Sequence, residues 1–341
     1  MSVAIATYNG EKFLREQLES IQSQTVLPTE IVISDDNSRD DTLHTVSTVL
    51  DSGWCKNSGV TLKVLNNTSA LGPGPNFEQA IQACSGDFIV LADQDDTWHD
   101  NKVEVLLRAF AEHPGALLVH SDADLVDANG QPLGMKLSDG IGFGGDERAA
   151  LASGHSLPAF IKRNLATGAT IMFKRELVEW AFPLPGPELH DGWLALAASL
   201  VDGVVFIPES LIDYRQHDNN QIGGKPTSAA DSVVAVLKSW RELTEVLARR
   251  NLDIENLVDR LGPRVSPVNR QIVSDRLAHN HWRIGLPSSR ILRVWLVLWG
   301  LLRGRYKKFG RQPHDALRDL VMPPEELLLR FLRRTSKKPG K

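Results

Sequence analysis

Apolar residues recur along the chain in two periods. Val3-Ala4-Ile5-Ala6 is a short β-type run closed by the polar Thr7-Tyr8-Asn9-Gly10, and Phe13, Leu14, Leu18 and Ile21 then return at helical spacing as far as Thr25. Glu30 to Ser34 predicts a second strand, Asp35-Asp36-Asn37-Ser38 a polar turn rich in capping residues, and Thr42 to Leu50 a second amphipathic helix. The alternation repeats through Val60–Leu65, Pro75–Cys84 and Asp87–Ala92, and Leu117–Ser121 predicts a further strand. Val126 to Gln131 reads as a turn, the Gly-rich Asp139–Asp146 as a mobile loop, and Val204–Ile207 and Leu211–Ile212 as strand-like. From about Ser228 to Asn251 the pattern is helical with no intervening strand, which sets a boundary near Gly223-Gly224. The expected fold is α/β: a mostly parallel, Rossmann-like sheet with helices on both faces in 1–223, a helical extension in 224–285 and a basic amphipathic tail in 286–341.

Parallel sheets bind ligands beyond the carboxyl ends of their strands, and the polar clusters fall at those ends. Asp93-Gln94-Asp95-Asp96 follows the run Phe88–Leu91, and carboxylates so close repel unless something positive sits among them. A hard divalent cation, Mg²⁺ or Mn²⁺, is the natural partner, its shell completed by substrate phosphates. A solvated turn capping the next helix explains the same residues. Asp35-Asp36 is compatible with a plain turn and with a carboxylate accepting from a pyrimidine ring N–H. Asp191, in His190-Asp191-Gly192-Trp193, reads equally as a helix cap and as a general base taking a proton from an acceptor hydroxyl. His217, in Tyr214-Arg215-Gln216-His217, reads as a surface histidine or as an imidazole completing a metal shell.

Composition narrows the classes. With 42% hydrophobic and 23% charged residues in 341, the chain is an ordinary globular protein with material for about two domains. Two cysteines, Cys55 and Cys84, make neither a disulfide framework nor a zinc cluster, and the expectation is reduced thiols. The N-terminus reads as a strand and not a signal peptide, which predicts a cytoplasmic protein. The net charge of −4 is unevenly split: residues 283–341 carry +11 and the rest −15. A basic tail on an acidic body points at an anionic surface, while the acidic body and the lack of interleaved aromatics near Arg333-Arg334 and Lys337-Lys338 argue against nucleic acid.

Taken in order, the motifs Ala6–Gly10, Ser34–Ser38, Leu91–Trp98, Thr167–Thr170, His190–Trp193 and Tyr214–Asn220 resemble family-2 glycosyltransferases of the GT-A fold, in particular the bacterial rhamnosyltransferase-like branch. The resemblance runs from Val3 to about Gly223. It implies an inverting transfer of a sugar, L-rhamnose by the branch, from a nucleotide-diphosphate donor such as dTDP-L-rhamnose. The implied acceptor is a hydroxyl of a cell-surface glycan or lipid-linked saccharide. It further implies that Thr7, Tyr8, Glu11 and Asp36 surround the nucleoside, and that Asn76 and Gly168 lie at the donor. Asp93 and Asp95 would be the DxD pair, Asp95 on the metal and Asp93 nearer the ribose. Asp191 would be the catalytic base and His217 the late histidine at the metal or diphosphate. Two positions depart from the pattern: Pro75 stands where the branch often has a cation before Asn76, and Gly192 stands where it has a bulky aromatic. A catalytically silent sugar-nucleotide binder and a nucleotidyltransferase are the alternatives; the latter wants a basic Gly-rich phosphate loop after the first strand, which Thr7–Glu11 is not.

In the tail, Arg290–Arg293 leads into the apolar Val294–Leu302, followed by Arg303, Arg305, Lys307, Lys308 and Arg311. The run is too short and too basic to span a bilayer, and 290–311 predicts either an interfacial helix at the inner face of the plasma membrane or a helix packed on the catalytic domain.

Overall fold

The computed structural model describes residues 1–51, 53–186, 189–217, 240–287, 289–310 and 314–321. Nine strands form one sheet: β1 (Ser2–Thr7), β2 (Glu30–Asp35), β3 (Thr61–Asn66), β4 (Phe88–Ala92), β5 (Thr97–Trp98), β6 (Leu118–Val126), β7 (Pro132–Lys136), β8 (Ile171–Lys174) and β9 (Val204–Arg215). Their order is β3-β2-β1-β4-β8-β6-β9-β5, with β7 on β6. The first four strands are parallel, with Val3 in register with Ile31 on one side and Val90 on the other. β8 runs antiparallel to both β4 and β6, β9 parallel to β6, and β5 antiparallel to β9.

Side chains alternate across each strand, so helices on both faces follow from the sequence. Val3, Ile5, Ile31 and Ile33, all fully buried, form one core with Leu14, Leu18 and Ile21 of the helix Leu14–Gln22. On β1 and β2 also packs the helix Pro73–Ala83, which buries Phe77, Ala80 and Ile81. Helix His190–Ser199 is enclosed almost throughout, and the Trp193 indole N–H donates to the Ala181 carbonyl at 2.7 Å.

Three differences from the sequence pattern have physical causes. β9 is one strand of 12 residues, carried past Pro208 by a bulge: Ile207 pairs with Ser121 and Ser210 with Asp122, so Pro208 and Glu209 drop out of the ladder. The stretch Asp139–Asp146 is pinned and not the mobile loop expected, because Arg163 donates to the Ile141 and Gly142 carbonyls at 2.5 and 2.7 Å and pairs with Glu147. β5 and β8, two and four residues long, are too short for a periodicity to reveal them.

The chain divides into two compact units: Met1–Gly223 with Arg260–Asn269, and Gly224–Asp259 with Arg270–Lys341. The boundary expected near Gly223-Gly224 lies outside the described residues, as do residues 228–239 of the expected helical stretch. Arg260–Asn269 joins the first unit through Arg260 Nη1 on the Phe182 carbonyl (2.9 Å) and Asn269 Nδ2 on the Leu200 carbonyl (3.1 Å).

The described helices of the second unit are Trp240–Leu261 and Pro267–Ile284, whose ends at 260–261 and 267–269 belong to the first unit, with Arg290–Leu302, Arg305–Phe309 and His314–Val321. At its centre Arg283 makes two parallel bonds of 2.8 Å to the Asp319 carboxylate, which also accepts from the Tyr306 hydroxyl at 2.8 Å, all three residues being buried. Removing Asp319 leaves the buried Arg283 charge with only the longer 3.5 Å pair to Asp315. Asp319→Ala is expected to destabilise this unit by about 3–5 kcal/mol, and Arg283→Met with Asp319→Leu together to cost far less. Urea unfolding of the three proteins checks this, and equal losses in the single and double variants would contradict it.

Candidate active site

β1 is flanked by β2 on one side and β4 on the other, and this switch in strand order opens a crevice at its carboxyl end. At the end of β1, Thr7 Oγ1 donates to Asp35 Oδ1 at 2.8 Å. Gln94 clasps the next residue across the crevice: the Tyr8 N–H donates to Gln94 Oε1 (2.9 Å) and Gln94 Nε2 to the Tyr8 carbonyl (3.1 Å). A Cβ on Gly10 would stand 2.4 Å from Gln94 Oε1, so glycine there is a condition of the clasp. The Tyr8 ring is left 55% exposed at the rim.

The two carboxylates of the β2 turn do different work. Asp35 is fully buried and takes the Ser38 N–H and hydroxyl besides Thr7, so it builds the turn. Asp36 accepts the N–H groups of Leu71 (2.6 Å) and Gly72 (2.9 Å), fixing the loop before helix Pro73–Ala83, and its oxygens keep further acceptor capacity. Asn76 is 2% exposed, and its amide is spent on the Ser34 hydroxyl and carbonyl and on the Thr7 carbonyl. It stitches the ends of β1 and β2 and has no free donor to offer a ligand. Glu11 is exposed and accepts the Asp41 N–H at 2.9 Å.

Beyond β4 the carboxylates crowd. Thr97 pairs with Asp213 in an antiparallel ladder, which folds residues 214–217 back over Asp95 and Asp96. His217 Nε2 thereby lies 2.7 Å from Asp95 Oδ2, its ring tilted on Phe13 at 5.1 Å. Asp191, in the first turn of its helix, accepts the N–H groups of Gly168 (3.2 Å) and Gly192 (2.6 Å). Burial, and then the neighbouring charges of Asp95 and Asp191, push the Asp93 carboxyl up to about 7. The Tyr214 phenol is raised by burial and then by Asp93, Asp96, Asp95 and Asp191, so all four carboxylates lie within electrostatic reach of it. Asp93, Asp95, Asp191, Gly168 and His217 are thus brought together, with Thr7, Tyr8, Asp36 and Asn76 on the β1–β2 side joined to them through Gln94.

Two cations that the sequence did not advertise hold this group. Arg215, nearly buried, donates from its backbone N–H to Asp96 Oδ1 (3.0 Å) and from Nε to the Asp95 carbonyl (2.8 Å), over the Phe13 ring. Lys102 is 0% exposed; its Nζ donates to the Ala169 carbonyl at 2.6 Å and lies 3.9 Å from the centre of the Trp98 ring. Burial brings its ammonium down to about 7, against the pull of Asp96 and Asp93. Lys102 thereby ties the floor of the acidic group to the segment whose Gly168 holds Asp191. Its spacing to Val105, Leu106 and Ala109, all on the buried face, is the signal that could have found it.

Gly168 serves a second close approach. Its missing side chain admits protein, since a Cβ would meet His190 Nε2 at 3.1 Å. The His190 ring stacks on Phe77 at 3.9 Å with neither nitrogen hydrogen-bonded, and burial lowers its pKa.

The donor set of Asp93, Asp95 and His217, hard oxygens with one imidazole, could hold a divalent cation, and the 2.7 Å between His217 Nε2 and Asp95 Oδ2 brings two such donors to one point. His99, Asp124 and Asp213 also lie within 4.8 Å of one another, but there the His99–Asp213 pair (3.0 Å) and the Ser210 hydroxyl on Asp124 (2.8 Å) account for the arrangement. Asp218 to Asn220 lie outside the described residues.

Residues 2–151 match the family model for glycosyl transferase family 2. The dTDP-rhamnosyl transferase RfbG of Shigella flexneri is 28% identical over 64% of this chain and 73% of its own. The UDP-Glc:α-D-GlcNAc-diphosphoundecaprenol β-1,3-glucosyltransferase WfgD of Escherichia coli is 31% identical over 31% of this chain and 38% of its own. The chain spans 59–66% of the length of the first curated relatives it matches. Among solved structures, S. aureus TarS 1–349 in complex with UDP-GlcNAc superimposes with a TM-score of 0.54 at 16% identity, over 94% of this chain and 88% of that one, which bears on the fold. Residues 2–151 are thus similar to glycosyl transferase family 2, and the sheet and helices have the GT-A fold.

Proposed function

We propose that the protein transfers a hexosyl unit, L-rhamnose first among the candidates, from a nucleotide-diphosphate donor to an acceptor hydroxyl with inversion. The observation that carries this is the meeting of Asp93, Asp95, Asp191 and His217 at the carboxyl ends of the sheet. The name of the Shigella relative supports dTDP-L-rhamnose, and that of the Escherichia coli relative supports a lipid-linked saccharide acceptor. A cytoplasmic place of action suits Cys55 and Cys84 as thiols and not as a disulfide pair.

In this reading the Asp36 oxygens accept from the base and the exposed Tyr8 ring stacks on it, with Thr7 and Glu11 beside the nucleoside and Gly168 at the sugar. Asp95 and His217, with Asp93 nearer the ribose, would hold a divalent cation, Mn²⁺ or Mg²⁺, which when bound offsets the charge of the leaving diphosphate. Asp191 accepts the proton of the acceptor hydroxyl. The acceptor oxygen forms its bond to the anomeric carbon as the bond to the diphosphate oxygen breaks, and the electron pair leaves with the diphosphate. The N–H groups of Gly168 and Gly192, one on each oxygen of Asp191, fix the plane of the carboxylate and leave it lone pairs to work with.

Two variants test these roles. Asp191→Asn is expected to lower the transfer rate by about 10²–10⁴-fold while donor affinity stays within a few fold. Steady-state transfer and donor titration measure both, and a variant turning over near the wild-type rate removes Asp191 as the base. Lys102→Met keeps the bulk of the side chain but loses the tie to Ala169, so kcat is expected to fall by about 10²-fold as Asp191 and the DxD loop lose their relative placement. Unchanged kcat in a folded Lys102→Met protein would make the lysine a mere filler.

A further inference from the structure

The helix Arg290–Leu302 is built inside out for a protein in water. One row, Arg293, Val297 and Gly300, faces the core of the second unit. Arg293 donates to the Pro287 carbonyl at 2.8 Å, Val297 is fully buried, and Gly300 lies against the rings of Trp282 and Tyr306. The helix is therefore fastened in a defined orientation. The opposite row is apolar and open: Ile291 is 79% exposed, Trp295 71%, Leu298 47% and Leu302 88%, spaced as i, i+4, i+7 and i+11 on one side of the helix. Trp299, also exposed, borders that row.

Charge selects the occupant. Residues 285–310 contain six Lys and Arg and no carboxylate. Arg290 at one end of the stripe and Arg303, Lys307 and Lys308 at the other are exposed. A second copy meeting this face about a two-fold axis would bring the same cations together, and like charges oppose that contact. An apolar stripe with tryptophans, flanked by Arg290, Arg303 and Lys307 and by a Lys308 that pairs with Asp275 at 3.0 Å, matches a bilayer surface: the rings and aliphatic side chains enter the boundary below the headgroups and the cations meet lipid phosphates. At about 1.5 Å per residue the 13-residue helix is near 20 Å long and lies in the interface, not across it. No helix among the described residues is long and apolar enough to cross a membrane.

We infer that the exposed face of helix Arg290–Leu302 is a docking surface for an anionic lipid bilayer. The inference goes beyond glycosyl transfer, since it rests on a different unit and a different set of residues. Should the acceptor be lipid-borne, as proposed above, docking would confine the enzyme to the surface that carries it.

The test is co-sedimentation of the full chain with vesicles of phosphatidylcholine alone and of equal parts phosphatidylcholine and phosphatidylglycerol, without donor or acceptor. Binding to the anionic vesicles is expected, weakened about tenfold or more on neutral vesicles and in high salt. Trp295→Glu with Leu302→Glu, at two of the most exposed sites, is expected to lose about tenfold or more of that binding with an unchanged thermal midpoint. Asp191→Asn is expected to bind vesicles like the wild type, so failure of the catalytic proposal and failure of docking are separate results. Absence of binding to the anionic vesicles, or binding that the double variant leaves intact, overturns the inference. So does a concentration-dependent dimer in sedimentation velocity that the double variant abolishes, because the stripe would then be a protein interface.

Discussion

Like charges brought together at the ends of parallel strands must be compensated, and the arrangement of this site follows from how that is done. Asp93, Asp95, Asp96 and Asp191 crowd around Tyr214, and burial drives Asp93 towards its neutral form. Protein cations answer only part of this field, and each does so from the side or from beneath. The Arg215 backbone N–H holds Asp96 while its guanidinium lies on the Asp95 carbonyl and pairs with Glu16, and Lys102 is turned to the Ala169 carbonyl. Burial moves Asp93 and Lys102 alike towards neutrality, because desolvation outweighs their mutual attraction. A site so arranged keeps a standing affinity for positive charge from outside, which a divalent cation would supply.

The same compensation fixes geometry. β4 delivers the DxD residues, β9 returns His217 and Arg215 over them, and helix His190–Ser199 presents Asp191 from the far side. Nothing in the parallel half of the sheet dictates where Asp191 stands relative to Asp95. The link runs through Lys102, Ala169 and Gly168, a buried lysine holding the carbonyl of Ala169 while the N–H of the preceding Gly168 holds Asp191. A displacement transfers poorly if nucleophile, base and leaving group drift by an ångström, so rigidity at this link bears directly on rate.

Much of this was legible in the sequence. The strand-end clusters showed themselves because charge and turn chemistry are local: Asp35-Asp36 after Ile31–Ser34 and Asp93–Asp96 after Phe88–Leu91 need no knowledge of the rest of the chain. The partners of those clusters were less visible. Lys102 and Arg215 carried no role in the sequence pattern, since a buried cation is identified by its neighbours and those come from Trp98 and Ala169 for the one and from Phe13, Glu16 and the Asp95-Asp96 loop for the other. Asn76 read as a donor contact, but the end of the sheet claims its whole amide. The Gly-rich Asp139–Asp146 read as mobile because Arg163, which pins it, lies some twenty residues on. In the tail the sequence left membrane contact and packing on the catalytic domain as alternatives; the helix buries Val297 against its own unit and holds Trp295 out.

The central claim is that the acidic group recognises a sugar nucleotide's diphosphate through a divalent ion, and ligand-induced stabilisation reads this without knowledge of the acceptor. The measurement is the thermal midpoint of the full chain with a panel of nucleoside-diphosphate sugars, in Mn²⁺ and in EDTA. A rise of several degrees with the cognate nucleotide sugar in Mn²⁺, absent in EDTA, is the predicted result. A shift of the same size in EDTA, or none with any nucleotide sugar in either condition, would contradict it.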